Sequence, residues 1–176
     1  GGIIMTIHFG DSTSIASGGS LGKLVGYANA AYTAATISQS LGEGNVSNDF
    51  LVRSYAANSS SNKILMTGVC TIGWVGSGAL AIHLYVNGSA VMQANASGSI
   101  QRTTASLRTG SQYNSCSIPF SYIHSNPSTS SVNYSVRVSH GDNATQTVYL
   151  NRPYNTLNAA YQFRGTSQIN LLEFSA

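Results

Sequence analysis

Apolar and polar positions alternate with a period of two along most of the chain. Val132, Tyr134, Val136 and Val138 alternate with Asn133, Ser135, Arg137 and Ser139, the pattern of a strand with one buried face. Leu80, Ile82, Leu84 and Val86 alternate in the same way with Ala79, Ala81, His83 and Tyr85. That run ends in Asn87-Gly88, residues that tolerate the two positive φ angles of a tight hairpin turn, and Ala90–Gln93 returns. Tyr113–Ile123 places Cys116, Ile118, Phe120 and Tyr122 on one face, and Pro119 on the other assigns it to an edge or a bulge. Lys63–Trp74, Thr145–Asn151, Ser167–Phe174 and the short Asp49–Tyr55 read as further strands. Gly2–Phe9 predicts a first strand, Thr33–Leu41 a second, and Ile100–Leu107 a polar edge strand. Gly10–Gly26 reads as an irregular excursion, Asn58–Asn62 and Ser125–Ser130 as turns, and Arg152–Ala159 as a loop. Short strands at intervals of roughly 8–12 residues predict an all-β, antiparallel sandwich or barrel. No helix of crossover length lies between them, so a parallel α/β sheet is excluded.

Composition adds one feature, a scarcity of charge. Of 176 residues, 42% are hydrophobic but only 7% are Asp, Glu, Lys or Arg, against about 25% in an ordinary soluble domain. The net charge of +3 comes from 8 basic and 5 acidic residues, so it reflects few carboxylates and not a cationic stripe. Scattered cations do not track phosphates, which excludes nucleic acid as the expected ligand. No apolar run approaches the ~20 residues of a membrane helix, so no membrane insertion is expected. Cys70 and Cys116 each sit in an apolar strand; buried free thiols and a disulfide both fit that placement.

Candidate chemistry is sparse. Gly18-Gly19-Ser20-Leu21-Gly22 matches the G-x-S-x-G pattern, but the strand, helix and parallel sheet that make it a nucleophile elbow are missing around it. Glycoside cleavage needs two carboxylates across a bond, with Asp11, Glu43, Asp49, Asp142 and Glu173 available. Asp11 and Asp142 read as turn formers, and Glu173 is expected to pair with an Arg such as Arg137 or Arg164. His8, His83, His124 and His140 are dispersed, without metal-ligand spacing. The expectation is therefore no enzyme, no metal and no cofactor. Aromatic and Arg side chains near loops are the better candidates, because such anchors serve glycan and protein contacts alike. Trp74 lies in the Gly-hinged GWVGSG segment, Arg152 and Tyr154 in Arg-Pro-Tyr-Asn, and Tyr161 and Arg164 in Tyr-Gln-Phe-Arg. Apolar residues also fall on both faces of several strands, as in Ile64-Leu65-Met66 and Leu171-Leu172 with Phe174. A sandwich buries one face of each sheet, so the second face calls for a neighbouring copy or for the N-terminal segment.

Four blocks carry a resemblance to a known family: Ser60–Gly73, Ser125–Val138, Val148–Tyr154 and Arg164–Phe174. Their Lys63-Ile64-Leu65, Asn151-Arg152, Ser167-Gln168-Ile169 and Glu173 fall in order within a pattern similar to a C-terminal module of bacteriophage structural proteins. That module is common in tail fibres and related virion proteins of cyanophages and other marine phages. The resemblance covers 58–176 and implies an antiparallel jelly roll of the tumour-necrosis-factor type, assembled as a homotrimer. Residues 1–57 fall outside it, as an N-terminal strand or arm whose membership of the same domain stays open. The function implied is a non-enzymatic virion protein, the distal domain of a tail fibre that attaches to host-surface glycans. The alternative is a trimeric decoration or cement protein on the capsid, with residues 1–41 as an arm on the major capsid protein.

Overall fold

The computed structural model describes residues 22–74, 78–108, 115–142, 144–154 and 163–176; the expected strand Gly2–Phe9, His8, Asp11 and Tyr161 lie outside them. Among the described residues there are eleven strand segments: β1 (Leu24–Tyr32), β2 (Ser38–Leu41), β3 (Leu51–Tyr55), β4 (Lys63–Trp74), β5 (Ala79–Val86), β6 (Ser89–Val91), β7 (Ala105–Arg108), β8 (Ser115–Ser125), β9 (Val132–Gly141), β10 (Gln146–Leu150) and β11 (Ser167–Phe174). All pairings are antiparallel.

The register reduces these segments to eight strands. Leu150 faces Ile72 and Gln168 faces Val69 on β4, so β10 and β11 are one strand that the chain leaves at Asn151 and rejoins at Ser167. Beside it, Tyr32 faces Ser167 and Ser38 faces Tyr149, which makes β1 and β2 one strand broken at 33–37. In the other sheet Val91 faces Leu84 and Ala105 faces Ile82, so β6 and β7 are one edge strand with 92–104 looped out. One sheet then runs β1/β2, β10/β11, β4, β8, and the other β3, β9, β5, β6/β7. Apart from the β5–β6 hairpin, successive strands cross between two four-stranded sheets in the order of a jelly roll. This is the expected all-β sandwich.

Residues 24–55 are built into both sheets, through β1 and β2 in the first and β3 in the second. A boundary at 57/58 therefore falls inside the sandwich, and 24–41 is no free arm. The sequence missed β1 because its Ala-rich text has no strong alternation; pairing with β11 makes it a strand.

The core fills from the inner faces, with Ile64, Met66, Ile72, Trp74, Leu150, Ile169 and Leu171 meeting Leu51, Leu80, Ile82, Leu84, Tyr134, Val136 and Val138. Each such side chain, fully buried, stabilises by about 1.5–3 kcal/mol. Pro119 sits on β8, which pairs with β4, and its missing N–H costs no ladder bond on an open edge. Asn87 and Gly88 have φ of 48° and 78°, the expected hairpin turn. Tyr32 closes an edge: its hydroxyl donates to the Val52 carbonyl (2.7 Å) and accepts from the Val52 N–H (2.8 Å).

The sandwich has two distinct ends. At the first lie the start of β1, the end of β11 and the 56–62 and 126–131 connections. There Glu173 points inward, fully buried. Its expected Arg partners are elsewhere: Arg137 pairs with Asp49 at 2.7 Å, and Arg164 precedes β11 at its other end. Neutral donors surround the carboxylate instead. Oε1 accepts from Asn58 N (2.8 Å) and Asn62 Nδ2 (2.6 Å), and Oε2 from Tyr55 Oη (2.8 Å) and Asn58 Nδ2 (2.8 Å). Burial alone would raise the Glu173 pKa, but these donors outweigh it and hold the group below its ordinary value. Burial and the same carboxylate push the Tyr55 phenol up to about 12.

A depressed carboxylate pKa means that the unfolded chain takes up the proton first. The Glu173 contribution is thus complete above about pH 5 and is lost as pH falls through the unfolded value of about 4.3 towards the folded one. Glu173→Gln turns an amide N–H₂ towards two donors and should destabilise by about 2–3 kcal/mol at neutral pH. In urea denaturation the gap between variant and wild type should narrow on acidification below pH 5; a gap that stays constant would refute an ionised Glu173.

Candidate functional site

Of the loop-borne aromatic and Arg candidates, Arg152 and Tyr154 meet on the outer face of the first sheet, where the chain leaves it after Leu150. Asn151 is fully buried and adopts φ of 60°, a left-handed turn that asparagine tolerates and that directs the chain out of the strand. Its N–H still donates to the Thr71 carbonyl on β4 (2.8 Å), as a strand residue would. Its Nδ2 donates to the Tyr32 and Ala34 carbonyls (2.7 and 3.1 Å), filling the break between β1 and β2. Its Oδ1 accepts from Ser167 Oγ (2.6 Å), and that hydroxyl accepts from Thr71 N (2.8 Å). The returning limb is tied by Gly165 N to the Asn151 carbonyl (3.2 Å). Asn151, Ser167 and Thr71 thus supply the ladder bonds that the looped-out segment vacates.

Arg152 lies against this neck. Its Nε donates to the Ala35 carbonyl (2.9 Å), and its guanidinium stacks 3.9 Å over the Tyr149 ring, a cation–π contact. Tyr154 meets the same ring, centroids 5.7 Å apart. The layer fits because position 73 is glycine: a Cβ there would overlap the Arg152 carbonyl and come within 2.8 Å of Pro153 Cα. Tyr154 is 40% exposed, and on the returning limb Phe163 is 77% exposed beside an exposed Arg164. Arg152 and Tyr154 therefore stand together with Tyr149, and Arg164 flanks the same neck. Sequence reasoning missed Tyr149, which reads as an ordinary strand position until β10 and β11 are seen to be collinear.

Trp74 is not part of this surface. It ends β4 on the inner face, fully buried, with its ring 5.4 Å from that of His140. The flanking glycines suggested a hinged loop, but the strand continues through Gly73 and takes the indole into the core.

The remaining polar candidates are dispersed. Glu173 is at one end of the sandwich, while Glu43 and Asp142 follow β2 and β9 at the other. His83 shares a 2.8 Å hydrogen bond with Ser139 Oγ, and burial lowers its pKa, opposed by the Arg102 backbone. His124 bonds Tyr134 Oη at 2.8 Å and is also lowered by burial. Cys70 and Cys116 are free thiols. Cys70 faces Ile118 and Cys116 faces Ile72, so the two are diagonal neighbours, about 7–8 Å apart at Cα and beyond disulfide reach. Burial pushes Cys70 up to about 12 and raises Cys116, which keeps both protonated and unreactive at neutral pH.

Replacing Asn151 tests the neck. Asn151→Ala should cost about 3–4 kcal/mol in chemical denaturation, from three lost side-chain bonds and a strained φ. Asn151→Gly should cost about 1 kcal/mol less, because glycine relieves only the backbone part. Equal losses would show that φ contributes nothing.

No protein-family model and no curated protein matches the chain. Among solved structures, a chain in the structure of infectious bursal disease virus strain Gx aligns with a TM-score of 0.43 and 14% identity over 98% of this chain. A chain from strain Gt aligns with a TM-score of 0.41 and 16% identity over the same share. This chain spans 43% of each. Likenesses this distant carry no inference about function.

Proposed function

We propose that the chain is a non-enzymatic virion structural protein, the distal domain of a phage tail fibre that self-assembles as a homotrimer and attaches to host-surface glycans. One observation carries the self-assembly. On the outer face of the first sheet, Tyr27, Leu172, Leu65 and Ile123 stand directly opposite one another across β1, β11, β4 and β8. Tyr27 is 56% and Ile123 59% exposed, and Leu24, Val25 and Phe174 extend the apolar area towards the chain ends. A continuous apolar row across a whole sheet face is the feature that a neighbouring copy covers.

The four blocks that resemble phage virion modules support the reading, since their polar residues have structural work in this fold. Asn151 and Ser167 close the strand break, and Glu173 with Asn62 ties the 56–62 connection to β11. Attachment is assigned to Arg152, Tyr154, Tyr161 and Arg164 around residues 151–166. Three copies of a weak site on one rigid body gain avidity through effective concentration. A surface of hydroxyls and amides suits neutral glycans and is insensitive to salt.

Light scattering on the purified chain at micromolar concentration should give a trimer, and Ile123→Asp should give a folded monomer with an unchanged circular dichroism spectrum. A wild-type monomer would overturn the assembly. Fluorescent protein should label cells within a panel of cyanobacteria and other marine bacteria. Binding to empty capsids with no labelling of cells would replace the fibre with a capsid decoration protein.

A further inference from the structure

The second sheet is covered differently on its outer side. The edge strand β6/β7 leaves its line at Met92, with φ of 51°, and rejoins it at Ala105. In between, the 92–104 excursion crosses the outer face as far as the connection after β2: Gln101 Nε2 lies so close over Gly44 that a Cβ there would overlap it. Beneath and beside the excursion is a cavity of about 300 Å³. Its floor is a cross-strand row of small residues, Ser106, Ala81 and Ser139 standing opposite one another on β7, β5 and β9. Thr103 and Gln101 line it from the excursion, and Glu43 from the far rim.

We propose that this cavity is a binding site for a single uncharged sugar ring. A segment laid over a sheet merely to cover it packs down to crystal-like density. Here three small side chains in one cross-strand row leave space between the excursion and the sheet. The volume is at the lower limit of the roughly 300–1,000 Å³ typical of small-ligand sites, which suits one ring. The lining decides the chemistry. The Ser99, Ser106 and Thr103 hydroxyls and the Gln101 carboxamide donate and accept, while the Glu43 carboxylate accepts from adjacent hydroxyls, as polyols require; the buried Ser139 hydroxyl is held by His83. Among the described residues no Lys or Arg lines the cavity and Glu43 does, so anions are disfavoured. Among the described residues no three His, Cys, Asp or Glu side chains group to hold a metal ion, so a divalent cation has too few ligands. The site deepens the glycan-attachment reading by placing a sugar subsite away from the 151–166 neck, on the opposite sheet.

Saturation-transfer NMR on the full chain, with glucose, galactose, mannose, N-acetylglucosamine, rhamnose and glucuronate as probes, tests this directly. At least one neutral sugar should receive transfer at millimolar concentration, and glucuronate several-fold less. Ser106→Trp fills the cavity from an exposed strand position and should abolish the signal. Glu43→Gln, also exposed, should reduce discrimination against glucuronate to near parity. No transfer to any neutral sugar, or transfer unchanged in Ser106→Trp, would overturn the proposal. Cell labelling by the same Ser106→Trp protein reports separately on attachment: labelling that persists while sugar transfer is lost leaves the subsite standing and assigns cell attachment elsewhere.

Discussion

A strand can be broken in the middle of a sheet only if the donors and acceptors left facing the gap find other partners. An unmet buried backbone group costs about as much as a lost hydrogen bond. The jelly roll interrupts three of its strands, and each repair follows from where the gap lies. The gap at 92–104 is on an edge, where Thr104 suffices: its N–H donates to the Ile82 carbonyl and its Oγ1 accepts from Leu84 N. The gap at 151–166 faces β4 on one side and the β1/β2 break on the other. It needs side chains that donate and accept in several directions at once, and buried Asn151 and Ser167 provide them. Everything displayed at this neck, the Tyr149–Arg152–Tyr154 layer included, depends on that closure.

Scarcity of charge shapes the other end in the same way. A buried carboxylate paired with an Arg would bring a second desolvated ion, and such pairs seldom repay their desolvation. Glu173 is solvated instead by amides and a phenol from the 55–62 stretch, which fixes the β3–β4 connection without a counter-charge. The charged pair Arg137–Asp49 lies on the partly exposed outer face of the second sheet, where the guanidinium also covers Tyr85 at 4.1 Å. Neutral donors hold the buried Glu173 carboxylate, and the ion pair stays near water.

How legible each feature was in the sequence depended on how local its cause is. β4, β5 and β11 have their expected bounds, because one-sided burial leaves a period of two whatever the partner. The Asn87-Gly88 turn and the edge placement of Pro119 are equally local. β1 was hidden because small residues suffice beside β11, and the expected strand Ile100–Leu107 contracts to Ala105–Arg108 because the chain before it crosses the sheet face. Trp74 was misread because flanking glycines suggest a loop, whereas Gly73 makes room for the Arg152-Pro153 backbone more than 70 residues downstream. The partners of Glu173 were missed because only cations were considered. Both errors concern long-range contacts, which no local pattern records.

The two outer faces then divide the work. On the second sheet, His83 and Ser139 are buried beside the 92–104 excursion, and Ser135 beside Asp49, on what would otherwise be a solvent side. The first sheet has no such cover among the described residues, and its outer face is banded. The apolar row Tyr27, Leu172, Leu65, Ile123 is followed by a polar one, Asn29, Asn170, Thr67, Ser121, with Tyr27 Oη reaching Asn170 Oδ1 between them. An apolar band supplies area, and a polar band beside it penalises slipped contacts by stranding its amides, so the pair can define one register for an approaching copy. A copy seated there leaves the second sheet and its cavity facing outward. A contact between copies on the first sheet and a ligand in the cavity thus need not compete for one surface, because the chain crosses one sheet itself and leaves the apolar row of the other open among the described residues.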